Sequence, residues 1–266
     1  MARLEYKYLV SKDAVPRLRK MLQPYVYSDQ YSDQNADKQY TVRSLYYDTI
    51  HLDFYHDKIA GLKKRIKLRI RGYDELQPES TTFLEIKRKN GPVISKSRAP
   101  VPYAELVKFI NNGDAESSQA FLDRFQNGHN EARQFFFHLY KSNLKPTIKI
   151  IYEREAFYYK FSQKLRITID KNLRSSLILN PEFLYEEQNV VYSMPRYSIL
   201  EIKIFGDIPF WLQHIIAELQ LRHQAISKYT ICMDSHSPYE LNLDRSLQGR
   251  GKYNQHKHFA SWEINR

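Results

Sequence analysis

The chain has 266 residues, 42% of them apolar, and a formal net charge of +11 from 41 Lys and Arg against 30 Asp and Glu. That apolar content supports a sizeable core and excludes wholesale disorder, while the positive balance favours a polyanionic partner: nucleic acid, an anionic membrane surface or phosphorylated small molecules. The single cysteine, Cys232, excludes an internal disulfide and a multi-cysteine zinc site. The lack of an apolar signal region, and of any run of 18 apolar residues, leads us to expect a soluble, cytoplasmic chain.

Residues 3–10, RLEYKYLV, alternate as a strand does, with Arg3, Glu5 and Lys7 on one face and Leu4, Tyr6 and Tyr8 on the other. Ser11 reads as an N-cap for a helix that runs to about Gln23 and stops at Pro24. A polar loop at 28–38 leads to a second strand, YTVRSLYY, at 40–47, followed by a short helical turn with Thr49 as its N-cap. Then comes LKKRIKLRIR at 62–71. As a strand it puts Arg65, Lys67, Arg69 and Arg71 on one face and Ile66, Leu68 and Ile70 on the other.

After turn material at 72–80, TTFLEIKRK places Glu85, Lys87 and Lys89 opposite Leu84 and Ile86. A Gly91-Pro92 turn precedes VISKSRAPV, an edge-like strand carrying Lys96 and Arg98. Residues 102–143 are helical in pattern, with Gly113 separating YAELVKFINN from FLDRF and ARQFFFHLYK. Strands resume at 146–160, at 164–170 (Arg166, Thr168 and Asp170 opposite Leu165, Ile167 and Ile169) and at 198–205 (Glu201 and Lys203 opposite Leu200, Ile202 and Ile204). An amphipathic helix is expected at about 208–223. We read one domain over 1–235, with a helical insertion at about 102–143, and a polar tail at 236–266.

Same-face neighbours on a strand lie about 7 Å apart. Two like charges at that spacing repel by roughly 2–3 kcal/mol at an effective dielectric near 20. Half-buried strands with a solvated outer face are the plainest account of such alternation. Here, though, charged residues dominate that face, and carboxylates recur beside cations: Glu5-x-Lys7, Glu85-x-Lys87, Glu201-x-Lys203. A sheet curled into a barrel, aliphatic side outward under helices and charged side inward, accommodates the same pattern. A bound polyphosphate would then relieve the repulsion through charge-assisted, often bidentate bonds to arginine. The glutamates need another role, and coordination of a divalent metal that bridges phosphate oxygens fits it.

Eight strings occur in order: RxExKY from Arg3 to Tyr8, SLYYDT at 44–49, KLRIR at 67–71, LEIK at 84–87, YERE at 152–155, RITID at 166–170, LEIK at 200–203 and SKY at 227–229. Together they resemble the VTC domain of polyphosphate polymerases, in the triphosphate tunnel metalloenzyme (CYTH-like) superfamily, over residues 3 to about 234. The resemblance implies an α+β fold, an antiparallel β-barrel tunnel with helices packed outside. It implies ATP and inorganic polyphosphate as substrates, Mn²⁺ or Mg²⁺ as cofactor, and transfer of the γ-phosphoryl group to a growing chain.

Carried over by position, Lys7, Arg69, Arg71, Lys87, Arg154, Arg166, Lys203 and Lys228 would bind phosphate. Tyr152 and Ser227 would add hydroxyl hydrogen bonds, and Arg65, Lys67, Lys96 and Arg98 would extend the basic track toward a tunnel mouth. Glu201 would be the chief metal ligand. Glu5 and Glu85 either join it or orient neighbouring lysines. The lesser alternative for Arg154, in an E-R-E string, is an ordinary ion pair, and Asp170 can be read as a partner of Arg166.

The hydrolytic relatives begin ExExK. Arg3 in place of the first glutamate weakens a second metal site and favours polymerisation over triphosphate hydrolysis, because the end of a polyphosphate chain needs no activated water. A hydrolase acting on tripolyphosphate and a non-catalytic polyphosphate-binding module remain alternatives. Specific nucleic-acid binding is not expected. Export of product would require a separate membrane-protein partner.

Overall fold

Among the described residues, ten strands and eight α-helices account for most of the chain. The computed structural model describes residues 3–91, 93–111, 118–124, 128–177 and 180–236; Pro92, Gly113 and the tail from 237 onward lie outside the described residues. The strands are β1 (Arg3–Ser11), β2 (Val26–Ser28), β3 (Tyr40–Asp48), β4 (Lys64–Tyr73), β5 (Thr81–Asn90), β6 (Val93–Pro102), β7 (Lys145–Tyr159), β8 (Ser162–Ser176), β9 (Val191–Tyr192) and β10 (Tyr197–Phe205). They join in one antiparallel sheet in the order β1-β10-β8-β7-β3-β4-β5-β6, with β2 added on β7 and β9 on β8.

Period-2 alternation sets the two faces. One face buries Leu45, Leu68, Ile70, Leu84, Ile86, Ala99 and Val101 beneath α4 (Tyr103–Asn111), α5 (Ser118–Leu122) and α6 (His129–Lys141), which contribute Leu106, Phe121, Phe135 and Phe136. Farther along the same face Leu165, Ile167, Ile169, Leu200, Ile202 and Ile204 pack on Leu18 and Leu22 of α1 (Val15–Leu22) and Leu212 and Ile215 of α7 (Phe210–Glu218). Each fully buried aliphatic side chain contributes about 1.5–3 kcal/mol, so these two clusters hold the helices on the outside.

The charged face is concave. The sheet curls far enough that Lys87 of β5 donates to Glu5 of β1 at 3.3 Å, although β1 and β5 stand six places apart in the strand order. No ladder joins the edge strands β1 and β6 among the described residues, so this is a half-barrel whose mouth is spanned by side chains. The fold is therefore the expected α+β one, a curled antiparallel sheet with helices around it. Among the described residues, no helix is long and apolar enough to cross a membrane.

Three element boundaries differ from expectation. Ser11 makes no side-chain cap bond: a 3₁₀ turn at Lys12–Ala14 intervenes, and α1 starts with Pro16 in its first turn. Thr49 is not the N-cap of α3 (Asp53–Ile59); that place is taken by Leu52, at φ 58°. The Thr49 hydroxyl still accepts the Asp53 N–H at 3.1 Å, and the buried Asp48 carboxylate accepts those of Phe54 and Tyr55, so the two side chains together meet the first orphan donors of this helix. The last amphipathic helix stops at Glu218, followed by Gln220 at φ 50°. Sequence periodicity also overlooked α8 (Lys228–Asp234), which begins after Ser227 as N-cap.

Gly128 shows why one position tolerates no side chain. It has φ 76° and opens α6, and an added Cβ would sit 2.9 Å from the Ala99 backbone of β6. The helical insertion is thereby pressed directly onto the sheet.

Candidate functional site

The register of β4, β5 and β6 stacks the cations in rows across the concave face. Lys67 lies opposite Lys87, and Lys87 opposite Lys96. Like charges directly opposed on neighbouring strands are destabilising, by about 3 kcal/mol at 5 Å before solvent screening. The next row is Arg69, Glu85, Arg98. Glu85 is 1% exposed and takes Arg69 at 2.7 Å, Lys96 at 2.5 Å, Arg98 at 3.3 Å and Arg71 at 3.8 Å. Burial pushes its carboxyl up, but Arg69, Arg71 and Lys96 outweigh that and hold it far below the usual carboxylate range. One carboxylate thus gathers four cations.

Arg71 donates to Ser44 at 3.1 Å and to the Tyr152 hydroxyl at 3.4 Å, and Arg69 to the Tyr46 hydroxyl at 2.7 Å. Tyr46 stacks in turn on Tyr229 of α8, whose hydroxyl donates to Asp48 at 2.5 Å. Lys67 donates to the Ser227 hydroxyl at 2.8 Å and lies over the Tyr229 ring at 5.4 Å, with no carboxylate paired to it among the described residues. Burial first, then Lys7, Lys87, Lys58 and Arg69, push its ammonium well below the ordinary lysine value. Burial likewise lowers Lys96 to about 8 even with Glu85 against it. Arg65 stands one step farther out, where its charge adds to the field on Lys58.

The opposite wall, formed by β1, β10, β8 and β7, alternates in sign. Lys7 lies opposite Glu201, and Glu5 opposite Lys203. Glu5 binds Lys7 at 2.9 Å, and Glu201 binds Lys203 at 2.7 Å and Arg154 at 3.6 Å. Asp170 receives Arg154 through two bonds, at 2.6 and 2.8 Å, and Lys228 of α8 at 2.5 Å. Arg154 is thus an ion pair, as one reading of its string allowed. Asp170 pairs with Arg154 and Lys228, not with Arg166 as expected, because the β7–β8 register sets Arg154 directly opposite it. Arg166, four residues away, reaches Asp29 at 2.8 Å and the Tyr40 hydroxyl at 3.3 Å. Tyr152 lies under both Arg154 and Lys228, at 5.3 and 4.7 Å.

All the residues singled out for phosphate or metal, from Lys7 to Lys228, therefore line one concave surface or its rim. Glu85 shares no ion-pair partner with Glu5 or Glu201 among the described residues. Nor does any group of three or more His, Cys, Asp or Glu side chains among them stand where it could hold a metal ion. Glu5 and Glu201 are close enough that Glu201 pushes the Glu5 carboxyl up, yet neighbouring lysines keep both low. Opposite Glu201 the buried Thr168 hydroxyl has no hydrogen-bond partner among the described residues, and neither has Nε of Arg166. Glu201 beside this orphaned hydroxyl, with the Glu5 carboxylate near enough to act on it, fits a hard divalent ion of the kind that takes one or two protein carboxylates and completes its shell with phosphate and water.

Sequence reading missed Ser44, Tyr40, Tyr46, Asp29, Thr168 and Tyr229. From the sequence, Tyr46, Tyr47, Tyr158 and Tyr159 read as packing residues and not as base-stacking platforms; Tyr47 and Tyr159 do pack, against Phe135 and Trp211. Tyr46 and Tyr158 instead meet the cations Arg69 and Arg166. Parity was the available signal: Ser44 and Tyr46 share a face of β3, and Tyr158 shares one with Arg154. Arg3, whose presence at the first acidic position favoured polymerisation, lies over the ring of Phe205.

Fold and site together define a helix-wrapped antiparallel half-barrel with a cationic concave face and an acidic pair on one wall. The VTC domain profile matches residues 2–236, and the chain belongs to that family. It is 28% identical over 151 residues to vacuolar transporter chaperone complex subunit 2 of Saccharomyces cerevisiae, covering 50% of this chain and 18% of that protein. It is 24% identical over 215 residues to subunit 4 of the same complex from Schizosaccharomyces pombe, covering 68% and 29%. With subunit 4 from Trypanosoma brucei brucei it shares 24% identity over 187 residues, covering 61% and 24%. The chain thus spans less than a third of the length of these relatives. Among solved structures, the PH1819 protein of Pyrococcus horikoshii OT3 aligns with a TM-score of 0.45 and 13% identity, over 88% of this chain and all of that one.

Proposed function

We propose that the chain is a metal-dependent polyphosphate polymerase domain that transfers the γ-phosphoryl group of ATP to a growing inorganic polyphosphate chain on its concave face. The observation that carries this reading is the Lys67–Lys87–Lys96 row beside Arg69 and Arg71, a cation-rich arrangement that Glu85 and Glu5 offset in part and an added polyanion would relieve further. Arg69, Arg71 and Lys87 from one wall and Lys7, Arg154, Arg166, Lys203 and Lys228 from the other hold the triphosphate and the chain end in line. Tyr152 and Ser227 add hydroxyl donors. Lys67, Lys96 and Arg65 extend the track for the polymer, and Arg98 adds its charge at the opposite rim. The attacking phosphate oxygen is already ionised, so the residues' work is alignment and charge neutralisation without a general base. Glu201 and Glu5 hold Mn²⁺ or Mg²⁺, which supplies further neutralisation of phosphate oxygens when bound. Glu85 organises the arginines of the basic wall.

The relatives' names place them in a transporter chaperone complex, and we propose a comparable membrane-protein partner for this domain, working on the cytoplasmic side. The test is incubation of purified protein with ATP and Mn²⁺, assayed for ADP, free phosphate and long-chain polyphosphate. ADP with chain product is expected. ADP with free phosphate alone would replace the polymerase with a triphosphate hydrolase, and ligand binding without turnover would leave a polyphosphate receptor.

A further inference from the structure

At one end of the concave face the lining changes from cations to rings. Tyr73 follows Arg71 on the same face of β4, and Phe83 lies directly opposite Arg71 on β5. Tyr40 stands opposite Arg154 on β3 and holds Arg166 through its hydroxyl. These rings form an arc with Tyr31 of α2 (Gln30–Asp33): Tyr31 to Tyr40 at 6.5 Å, Tyr40 to Tyr73 at 5.9 Å, Tyr73 to Phe83 at 5.9 Å. Every contact is edge-to-face, with interplanar angles of 63–72°, so each pair spends one ring face and leaves the other ring's faces free of that partner.

Arg98 completes the rim. Its guanidinium lies 3.5 Å from the centroid of Phe83, donates to the Tyr73 hydroxyl at 3.2 Å and pairs with Glu85 at 3.3 Å. It is held by these three partners, yet its side chain is 38% exposed. Tyr31, at the other end of the arc, is 60% exposed. A guanidinium braced on a ring and still in reach of solvent is a group on which a nucleobase can stack. The phosphate-binding arginines begin one residue farther in. We propose that this rim, built by Arg98 on Phe83 with Tyr73, Tyr40 and Tyr31, seats the base of a nucleoside triphosphate while its phosphates lie among Arg71, Arg69 and Arg166. The inference rests on the phosphate reading above and adds the end at which the nucleoside sits. Ring faces and a guanidinium plane grip any base, so the rim recognises a nucleotide as against an inorganic phosphate and discriminates little among bases.

The test compares dissociation constants for ATP and for inorganic tripolyphosphate, by calorimetry, in wild-type protein, Phe83→Leu and Tyr31→Ala. Tyr31 is a surface residue, so its variant keeps the fold, and tripolyphosphate affinity reports the integrity of the interior in each protein. Phe83→Leu is expected to weaken ATP about tenfold and Tyr31→Ala about threefold, with tripolyphosphate within about twofold of wild type. Losses that are equal for the two ligands, or ATP affinity unchanged in both variants, would overturn the rim as a base site while leaving the phosphate reading standing. Wild-type protein that binds neither ligand overturns the phosphate reading and this proposal with it.

Discussion

The two walls of the concave face are built on the same alternation and differ in charge balance. On β4, β5 and β6, Arg65, Lys67, Arg69, Arg71, Lys87, Lys89, Lys96 and Arg98 share their face with one carboxylate, Glu85. On the facing strands Glu5, Glu201 and Asp170 are interleaved with Lys7, Lys203 and Arg154, and Lys228 closes the set from α8. One wall is close to neutral and held by bidentate and paired bonds; the other is under internal repulsion. A buried pair costs most when one partner is removed, whereas removing a repelled charge relieves strain. On the proposed function, the neutral wall presents its cations in positions fixed by pairing, and the basic wall would add the larger share of the affinity. Substitutions on the two walls should move stability and binding in opposite directions.

The largest effect is expected at Glu201, where the neutral wall meets the proposed metal. Glu201→Gln keeps size and hydrogen bonding and removes the ligand charge. Turnover of ATP with Mn²⁺ should fall about a thousandfold, comparable to removing a principal transition-state stabiliser. Triphosphate affinity should hold or rise, since one repulsive carboxylate has gone. Wild-type turnover in this variant would show that Glu201 is not the metal ligand.

Stability separates the walls next. Arg154→Gln leaves the buried Asp170 with Lys228 as its remaining cation, and urea unfolding should show a loss of about 3 kcal/mol. Lys67→Met acts with the opposite sign. It removes an ammonium that burial and four neighbouring cations already disfavour, so the ligand-free protein should gain about 1 kcal/mol while tripolyphosphate binding weakens. If both variants destabilise to a similar degree, the contrast between the walls is wrong.

How far this contrast was legible in the sequence depends on whether the cause is local. Alternation in KRIKLRIR or LEIK is a property of the string itself, so the strands, their two faces and most of the cations were readable from it. The pairing of Arg154 with Asp170 is not local. It follows from the β7–β8 register, which bulges between Ile151 and Glu153 and between Tyr158 and Tyr159, and no string shows that. Ser227 and Lys228 were reached through family resemblance, because KYTICMD has no polar stripe to announce a helix with one face toward the interior. Tyr46 was taken for packing since tyrosine serves either face; its meeting with Arg69 needs the β3–β4 register. The repulsive lysine row likewise combines three strands, each of which alone looks like a solvated edge.

The smallest expected effect is a dependence on pH, carried by Lys96 and Lys67 on the basic wall and joined by Lys203 of the other wall, which burial also lowers to about 8. Burial holds Lys96 at about 8 and Lys67 well below its ordinary value, whereas an unfolded lysine titrates near 10.4. Above pH 8 the unfolded chain keeps a proton on Lys96 that the folded chain has shed. Stability from this group therefore rises as pH increases from about 8 toward 10.5, and that gain is absent below pH 8. A bound polyanion reverses the balance by drawing both lysines back to the charged form. Binding then takes up protons, and affinity should fall by at most about tenfold per pH unit for each lysine that deprotonates. ATP suits the measurement because its phosphates are already ionised above pH 8. Calorimetry at pH 7.5 and 9.5, without metal and in two buffers of different ionisation enthalpy, should show weaker binding and net proton uptake at the higher pH. Lys96→Arg should remove part of that dependence, since a guanidinium stays charged throughout. An affinity that is flat over this interval, with no proton uptake, would mean that the lysine row does not face the phosphates, and that the arginines of the wall bind them without it.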